Sequence, residues 1–417
     1  MNRLSLSILF VILLLLLSLR FFFFYHNQNQ YKDGQDVRFT TTLTSDPQII
    51  GSQQRISANL ASGQRVSVIT SLIPELHYGE TLAMDGILNV SLLDSKRSMI
   101  TMYFPKIKVI KNESGLAVIN LIRQRVISMF SKSLPNPSSS LLLGIVFGIK
   151  EPMPKDFKDN LRTSGVLHVI AASGMNVTLI GGFISSLFAF FLKRQLALAF
   201  SIIGIIFYAI LAGLEPSIIR ASIMGILVFS SQILGRQNMA RSGLLIAGFL
   251  MLFISPNLIA DIGFQLSFSA TAGLLYIRPL FEHNLRVKAV LERSFLGSDV
   301  LTTIAAQAAT LPILLANFGS YSLWSILVNG LVLWTIPSLM VIGGIGGLVG
   351  LIFMPLGQLL IYLSYPFLLY FEKIVNIFGQ IGGNLSTQEL SWPVIIGYYL
   401  MLSSCVLFFG RKGLRKR

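Results

Sequence analysis

The segment HVIAASGMNV, residues 168–177, is a polar, glycine-containing stretch at the head of an apolar span that runs to about Leu192. The apolar residues around it place this segment at membrane depth. Polar groups cost free energy in that environment, and where they occur they usually mark function. The segment therefore indicates a functional site within a membrane domain.

The composition of the chain indicates the same environment. Of its 417 residues, 53% are hydrophobic and only 12% are charged, a balance that water-soluble domains do not tolerate. The predicted fold class is a polytopic all-α membrane bundle with an N-terminal, extracytoplasmic, small β-barrel domain of the oligonucleotide/oligosaccharide-binding (OB) type. The formal net charge of +15 fits a nucleic-acid partner, but lysine and arginine also accumulate on cytoplasmic loops of membrane proteins.

The first 111 residues divide into an anchor and a β domain. Residues 1–25 are predicted to form an uncleaved signal-anchor helix, because no small-residue cleavage site follows the apolar run. Residues 26–111 contain short β-rich runs between turn residues, and their length fits a five-stranded OB-like barrel. This domain either binds a ligand or acts as a structural cap, and only Tyr103 and Phe104 are clear candidates for stacking on bases.

The rest of the chain is predicted to be mainly membrane-embedded. Residues 112–135 have the pattern of an amphipathic interfacial helix, residues 136–410 form the transmembrane domain, and residues 411–417 form a basic cytoplasmic tail. Ser138 to Gly148 is too short to span a bilayer and is interpreted as a re-entrant or buried helix. The apolar lengths predict spans at about 165–192, 195–213, 216–234, 242–255, 262–280, 299–317, 322–340, 341–355 and 391–410.

The basic loops set the predicted orientation. Both termini face the cytoplasm if every basic loop is to lie inside, provided that Leu356 to Phe378 lies flat at the interface instead of crossing. The basic stretches Arg278 to Arg293 and Arg411 to Arg417 could meet a cytoplasmic partner, an emerging strand or anionic lipid headgroups.

Polar side chains recur at helical spacing on several apolar spans. On one helix Ser173 and Asn176 would share a face, with His168 about 80° from Asn176. Arg220 lies one turn inside the next block and needs a partner or a water-filled cavity, and we expect an ion pair with Asp261. The stripes are interpreted as the lining of an aqueous path, with candidate residues His168, Ser173, Asn176, Arg220, Asp261, Gln265 and Gln307.

Three ordered blocks resemble the ComEC-type competence family of inner-membrane proteins. They are Thr163 to His168 with Ala171 to Val177, then Glu215 to Ser217 with Arg220, and then Asp261 to Phe268. The resemblance implies a channel that imports single-stranded DNA across the bilayer during natural competence, with a separate nuclease and a cytoplasmic motor as partners. It implies no catalytic residues and no cofactor in this chain, which would be a short form without the metallo-β-lactamase-like domain of many relatives.

The chain departs from the family pattern at Asn176, where a second histidine is common. Its four histidines are too dispersed for a clustered metal site, so no metal is expected. Two other functions stay open at this point. One is a transporter of lipids or small molecules, and the other is a membrane-embedded hydrolase that uses His168 and Ser173 as base and nucleophile.

Overall fold

The computed structural model describes residues 3–26, 31–43, 47–60, 64–94, 97–110, 116–149, 151–170, 174–214, 216–235, 240–282, 297–386 and 392–414. Much of the basic stretch from Arg278 to Arg293 and the end of the basic tail lie outside these residues. The chain divides into two compact units. The first comprises Met1–Ser128, Phe207–Glu215 and Phe249–Ile259, and the second comprises Met129–Ile206, Pro216–Gly248 and Ala260–Arg417.

The β strands of the first unit form one sheet. In chain order the strands are β1 Asp36–Thr42, β2 Gln48–Ile50, β3 Gln53–Asn59, β4 Arg65–Ser71, β5 Thr81–Asp94, β6 Arg97–Tyr103 and β7 Lys106–Ile110. Their order in the sheet is β1-β5-β6-β4-β3-β2, and β7 also pairs with β5. All pairs are antiparallel except β4 with β6. Alternate residues point into a core that includes Ile56, Val68, Leu82 and Met102.

The sheet is an N-terminal half-barrel, but the prediction of five strands is wrong. Seven strands form. The prediction missed two of them because they are too short to be recognised as apolar runs. β2 has only three residues and turns into β3 at Gly51, whose φ of 63° is left-handed. Pro105 separates β6 from β7, since proline cannot donate to a ladder. Strand β5 has 14 residues; its first half pairs with β1 and β7, and its second half pairs with β6.

The helices of the described residues are, in chain order, α1 Arg3–His26, α2 Leu116–Ser133, α3 Ser138–Phe147, α4 Lys155–Thr163, α5 Gly174–Ala189, α6 Arg194–Leu211, α7 Pro216–Ile233, α8 Ala240–Ile254, α9 Ile262–Ala272, α10 Arg278–Glu282, α11 Gly297–Phe318, α12 Ser325–Val332, α13 Thr335–Ile352, α14 Met354–Leu363, α15 Tyr365–Ile381 and α16 Trp392–Leu414. A π-helical turn, Gly273–Ile277, joins α9 to α10. A short two-stranded antiparallel sheet of β8 Ser320–Ser322 and β9 Asn384–Ser386 lies in the second unit.

Within the described residues, five helical segments are long and apolar enough to cross a membrane, and a sixth if the bent pair α14–α15 counts as one span. They are Leu167–Ala189, which includes residues outside the described ones, Arg194–Leu211, Pro216–Ile233, Val300–Asn317 and Thr335–Ile352. Two predicted spans are wrong. The structure breaks 322–340 between α12 and α13, and α13 continues across the boundary expected at residue 340, where no proline interrupts the helix.

The short helix α3 lies in the interior of the second unit. All ten of its residues are buried, in agreement with the buried-helix alternative for this segment. It ends at Gly148, whose φ of 69° is left-handed; the amide of Gly148 donates to the carbonyl of Gly144, and the amide of Ile149 donates to that of Leu143. The segment 356–378 falls in α14 and α15, which meet at a 41° bend. Pro366 lies at the start of α15, where proline disfavours helical backbone in the preceding residue.

Candidate functional site

The segment from His168 to Val177 is described only in part, because residues 171–173 lie outside the described ones. His168 belongs to a 3-10 turn, Leu167–Val169, and α5 covers Gly174–Ala189. Ser173 lies between these two elements, so the expected stripe of His168, Ser173 and Asn176 along a single helix stays a prediction. His168 is exposed, whereas Asn176 is buried.

Asn176 fixes the start of α5 to the buried helix α3. Its side-chain amide donates a 2.7 Å hydrogen bond to the carbonyl oxygen of Ile145. That carbonyl is among the last four of α3, and the last four carbonyls of a helix receive no regular hydrogen bond from within it. Asn176 is only 2% exposed, so this bond satisfies a buried acceptor. Its part in lining a path stays a prediction.

A close backbone contact positions the turn that precedes α5. A Cβ atom on Gly144 of α3 would lie 2.9 Å from the carbonyl oxygen of Ile170. Only glycine permits this approach, because backbone atoms cannot move aside as a flexible side chain can. The segment that carries His168 is therefore held against α3 at two points: Ile170 contacts Gly144, and six residues beyond Ile170 the side chain of Asn176 bonds to Ile145.

Arg220 connects α7 to α9. Its side chain is 7% exposed, its Nε donates to the hydroxyl of Ser267 at 2.8 Å, and its Nη1 donates to the hydroxyl of Thr271 at 2.5 Å. The ring of Phe268, between these two residues, lies 5.9 Å from the guanidinium carbon. On its other side the guanidinium reaches Gly174 of α5, since Nη2 lies 3.3 Å from the position of a Cβ on that glycine. Residues of all three sequence blocks thus meet at Arg220.

The expected ion pair between Arg220 and Asp261 is not found in the described part of the chain. Asp261 caps α9, where its carboxylate accepts a 2.9 Å hydrogen bond from the amide of Phe264, a typical N-cap role. Ser267 lies six residues further along, which corresponds to about 9 Å of helix. Arg220 therefore meets the middle of α9 and not its beginning.

Gln307 of α11 belongs to a second polar cluster. Its side chain donates to the hydroxyl of Ser325 at 2.6 Å and accepts from the hydroxyl of Tyr321 at 2.6 Å. Ser322 and Ser325 in turn donate to the carbonyl oxygens of Thr163 and Gly165, at 2.5 and 3.5 Å. Burial raises the pKa of Tyr321 above its ordinary value, which keeps its hydroxyl protonated as a donor. The cluster therefore holds the chain just before the His168 turn.

The structure thus distributes the candidate residues over separate places. Arg220 contacts α9, Asp261 caps the start of that helix, and Gln265 lines an apolar groove of the second unit with Tyr399 and Ser403. Gln307 lies in the cluster with Tyr321. Sequence reasoning missed Ser267, Thr271 and Ser325, because isolated hydroxyl residues are ordinary on apolar helices. It also missed Tyr321 and Ser322, because the three residues of β8 are too few for a strand pattern. Only helical spacing could have indicated Ser267 and Thr271, which are four residues apart and share a helix face.

The helices long and apolar enough to cross a bilayer define a multi-pass membrane protein. The chain belongs to a competence family: a family model described as "Competence protein" matches residues 145–412, a range that contains every candidate site residue. The resemblance noted in the three sequence blocks is therefore confirmed.

Several curated proteins are similar to parts of the chain. It is 23% identical over 209 residues to "ComE operon protein 3" of Bacillus subtilis (strain 168), which covers 50% of this chain and 26% of that protein. An "Uncharacterized protein" of Aquifex aeolicus (strain VF5) is 28% identical over 49% of this chain and 51% of its own length. "Uncharacterized protein YcaI" of Escherichia coli (strain K12) is 26% identical over 46% of this chain and 27% of its own length. The chain spans about half or less of these relatives, and no solved structure matches it.

Proposed function

We propose that this chain forms a membrane channel for single-stranded DNA in natural competence. The observation that carries the proposal is the environment of Arg220, a buried guanidinium on an apolar helix whose hydrogen-bond partners are two hydroxyls and a thioether. A lone cation at membrane depth costs at least about 2.5 kcal/mol. A phosphate that passes beside it compensates that cost, so Arg220 attracts the DNA backbone without a tight, sequence-specific grip.

Family membership supports the same function. The matched range covers residues 145–412, and the similar Bacillus subtilis protein carries the name "ComE operon protein 3". We propose a location in the cytoplasmic membrane of a bacterium, with both termini in the cytoplasm and the β domain on the opposite side, as the positions of the basic loops favour. In this arrangement the bent pair α14–α15 does not cross.

The proposed channel moves its substrate without a covalent step, and a separate nuclease supplies the single strand while a cytoplasmic motor draws it in. The hydrolase alternative needs a nucleophile beside His168. The exposed position of His168 in a 3-10 turn gives that alternative no support. Hydrolysis measured in vesicles that contain the purified chain distinguishes an enzyme from a channel.

DNA uptake in cells tests the proposal. A naturally transformable host without its own competence channel receives this chain, the Arg220→Gln variant or the Arg241→Gln variant. Arg241 is an exposed arginine at the start of α8, so its loss removes the same charge elsewhere. We expect the wild type and Arg241→Gln to restore nuclease-resistant uptake of labelled duplex, and Arg220→Gln to reduce it at equal membrane abundance. If the wild type restores no uptake, the proposed function is wrong.

A further inference from the structure

Pro312 lies inside α11, the helix that carries Gln307. Proline has no backbone amide and its ring crowds the carbonyl four residues earlier, so the carbonyl of Ala308 lacks its regular helix donor. The stretch Val300–Asn317 is apolar enough to cross a membrane, where no water replaces the lost donor. The carbonyl of Ala308 therefore needs a donor from another helix.

Two consecutive tyrosines of α16 supply donors at this point. The hydroxyl of Tyr398 donates to the carbonyl of Ala308 at 2.7 Å, and that of Tyr399 donates to the carbonyl of Ala309 at 2.8 Å. Both tyrosine side chains are half-buried. Tyr399 also bonds to the hydroxyl of Ser269 on α9, so it joins three helices. Bonds from α16 therefore support α11 where the proline weakens the backbone ladder.

The part of α11 before Pro312 is packed tightly against the π-helical turn. A Cβ on Gly273 would lie 2.4 Å from the carbonyl oxygen of Ala305, an approach that only glycine permits. Ala305 and Ala309 are buried together with Ile277 of the same turn, and apolar side chains of α16 pack against this cluster. This part of α11 is therefore fixed by its neighbours.

The part of α11 after Pro312 borders open space. A groove of about 420 Å³ lies between α9, α11 and α16, and its lining includes Gln265, Ile313 and Tyr399. Ile313 directly follows the proline and is half-buried. Side chains on this side can shift without displacing a packed neighbour. One fixed part, one part beside a groove and a proline between them form the arrangement of a hinge.

We infer that Tyr398 and Tyr399 form a tyrosine latch on a hinge at Pro312. With both hydroxyl bonds in place, α11 keeps the observed shape. When the bonds break, the part of α11 after Pro312 moves toward the groove. A bond between two neutral groups contributes little net free energy, so the latch can open without unfolding α11.

Movement at the hinge reaches the polar cluster around Gln307. Gln307 precedes Pro312 and Tyr321 follows it, and the bond between their side chains is 2.6 Å long. A change of direction at Pro312 separates these two residues. The tyrosine latch thereby controls the cluster that holds the chain before the His168 turn. This control goes beyond the proposed function and does not depend on what the chain transports.

Hydrogen–deuterium exchange of the full-length protein in nanodiscs tests the latch. Tyr398→Phe removes one hydroxyl and keeps the ring, so we expect the α11 amides around the proline to exchange about fivefold faster, the factor that one neutral hydrogen bond supplies. In the Pro312→Ala background the alanine amide serves the carbonyl of Ala308, and Tyr398→Phe should then have no effect. Tyr362→Phe is the control, because Tyr362 is an exposed tyrosine of α14. Equal exchange in Tyr398→Phe and Tyr362→Phe overturns the latch.

Distances between spin labels test the hinge. The labels are attached at Ile304→Cys and Ala316→Cys in a Cys405→Ser background, on either side of the proline and about 18 Å apart along a straight helix. We expect a narrow distance distribution in the wild type and in Pro312→Ala, and a broader one in Tyr398→Phe. Faster exchange with an unchanged distance distribution overturns the hinge.

Unfolding temperatures identify a variant that does not fold. Tyr399→Phe takes the place of Tyr398→Phe in that case, and its expected effect in both measurements is the same loss of one hydroxyl bond to α11. Neither measurement uses DNA. The latch and the hinge therefore stand or fall separately from the uptake experiment.

Discussion

The guanidinium of Arg123 lies over the ring of Tyr78, with its carbon 4.5 Å from the ring centre. The two side chains also donate to consecutive carbonyls at the end of α6: Arg123 to that of Leu211, and Tyr78 to that of Ile210 at 2.9 Å. The last carbonyls of a helix lack partners within it and carry its negative end. A helix end, the β domain and α2 are thus joined within the first unit by one buried arginine and one tyrosine.

Replacement of Arg123 by methionine should destabilise the protein by about 2–4 kcal/mol, because it removes a charged hydrogen bond and a cation–π contact from a buried position. Chemical unfolding of the purified protein in detergent measures the change. Arg125 on the same helix is exposed, and Arg125→Met should leave the free energy of unfolding within about 0.5 kcal/mol of the wild-type value. Equal losses in both variants would contradict the role given to Arg123.

Asn176→Leu should cost about 1–3 kcal/mol, because the buried carbonyl of Ile145 loses its side-chain donor. Thr178→Val is the comparison, since Thr178 is exposed on the same helix and its hydroxyl bonds only to the carbonyl of Gly174. Unfolding in detergent again provides the measurement. The assignment of Asn176 to the α3 contact fails if the two variants are equally stable.

Gly144→Ala should destabilise the second unit by about 1–3 kcal/mol, the usual range for overpacking. The added methyl would meet the backbone oxygen of Ile170 at 2.9 Å, so either α3 or the His168 turn must shift. Gly182→Ala, with open space around it, should be neutral or slightly stabilising. A thermal unfolding scan of both variants checks the prediction, and an unchanged transition in Gly144→Ala would refute the close contact.

Tyr321→Phe should lower stability at neutral pH, because Gln307 loses its 2.6 Å donor. The folded-state pKa of Tyr321 is raised above the ordinary value of 10.0 by burial. The folded protein therefore holds this proton more tightly than the unfolded chain, and the contribution of the hydroxyl is complete below about pH 10 and is lost above it. The difference between wild type and Tyr321→Phe should shrink only above about pH 10; a constant difference to higher pH would count against the buried hydroxyl.

Helical spacing located most of the polar positions but not their partners. Arg220, Asp261 and Gln307 were found because charged and amide groups are rare on apolar helices. The period of a helix shows which residues share a face, but not which helix lies opposite. Arg220 was therefore matched with Asp261, an acid at the edge of another apolar span that also needed a partner, whereas the packing of α7 on α9 brings it to Ser267 and Thr271.

Helix boundaries were predicted where proline or a capping residue marks them and missed elsewhere. Pro216 begins α7 as its position in the sequence suggests. The break between α12 and α13 at residues 333–334 carries no such mark, because neither residue is a proline or a glycine. The same limit applies to the β domain, where the three residues of β2 are too few for an alternation pattern.

The shared strand β5 sets the order in which the sheet can assemble during synthesis. Strands β2, β3 and β4 are consecutive antiparallel neighbours, so they can pair as soon as they emerge. Among the described strands β1 pairs only with β5, through contacts such as Asp36 with Ile87, and β4 needs β6 on its other side. The first strand made is therefore unpaired until about 50 more residues have followed. A nascent chain arrested before β5 exposes the edge of β1, and ribosome-stalled chains of increasing length should become protease-resistant only once β5 and β6 are complete.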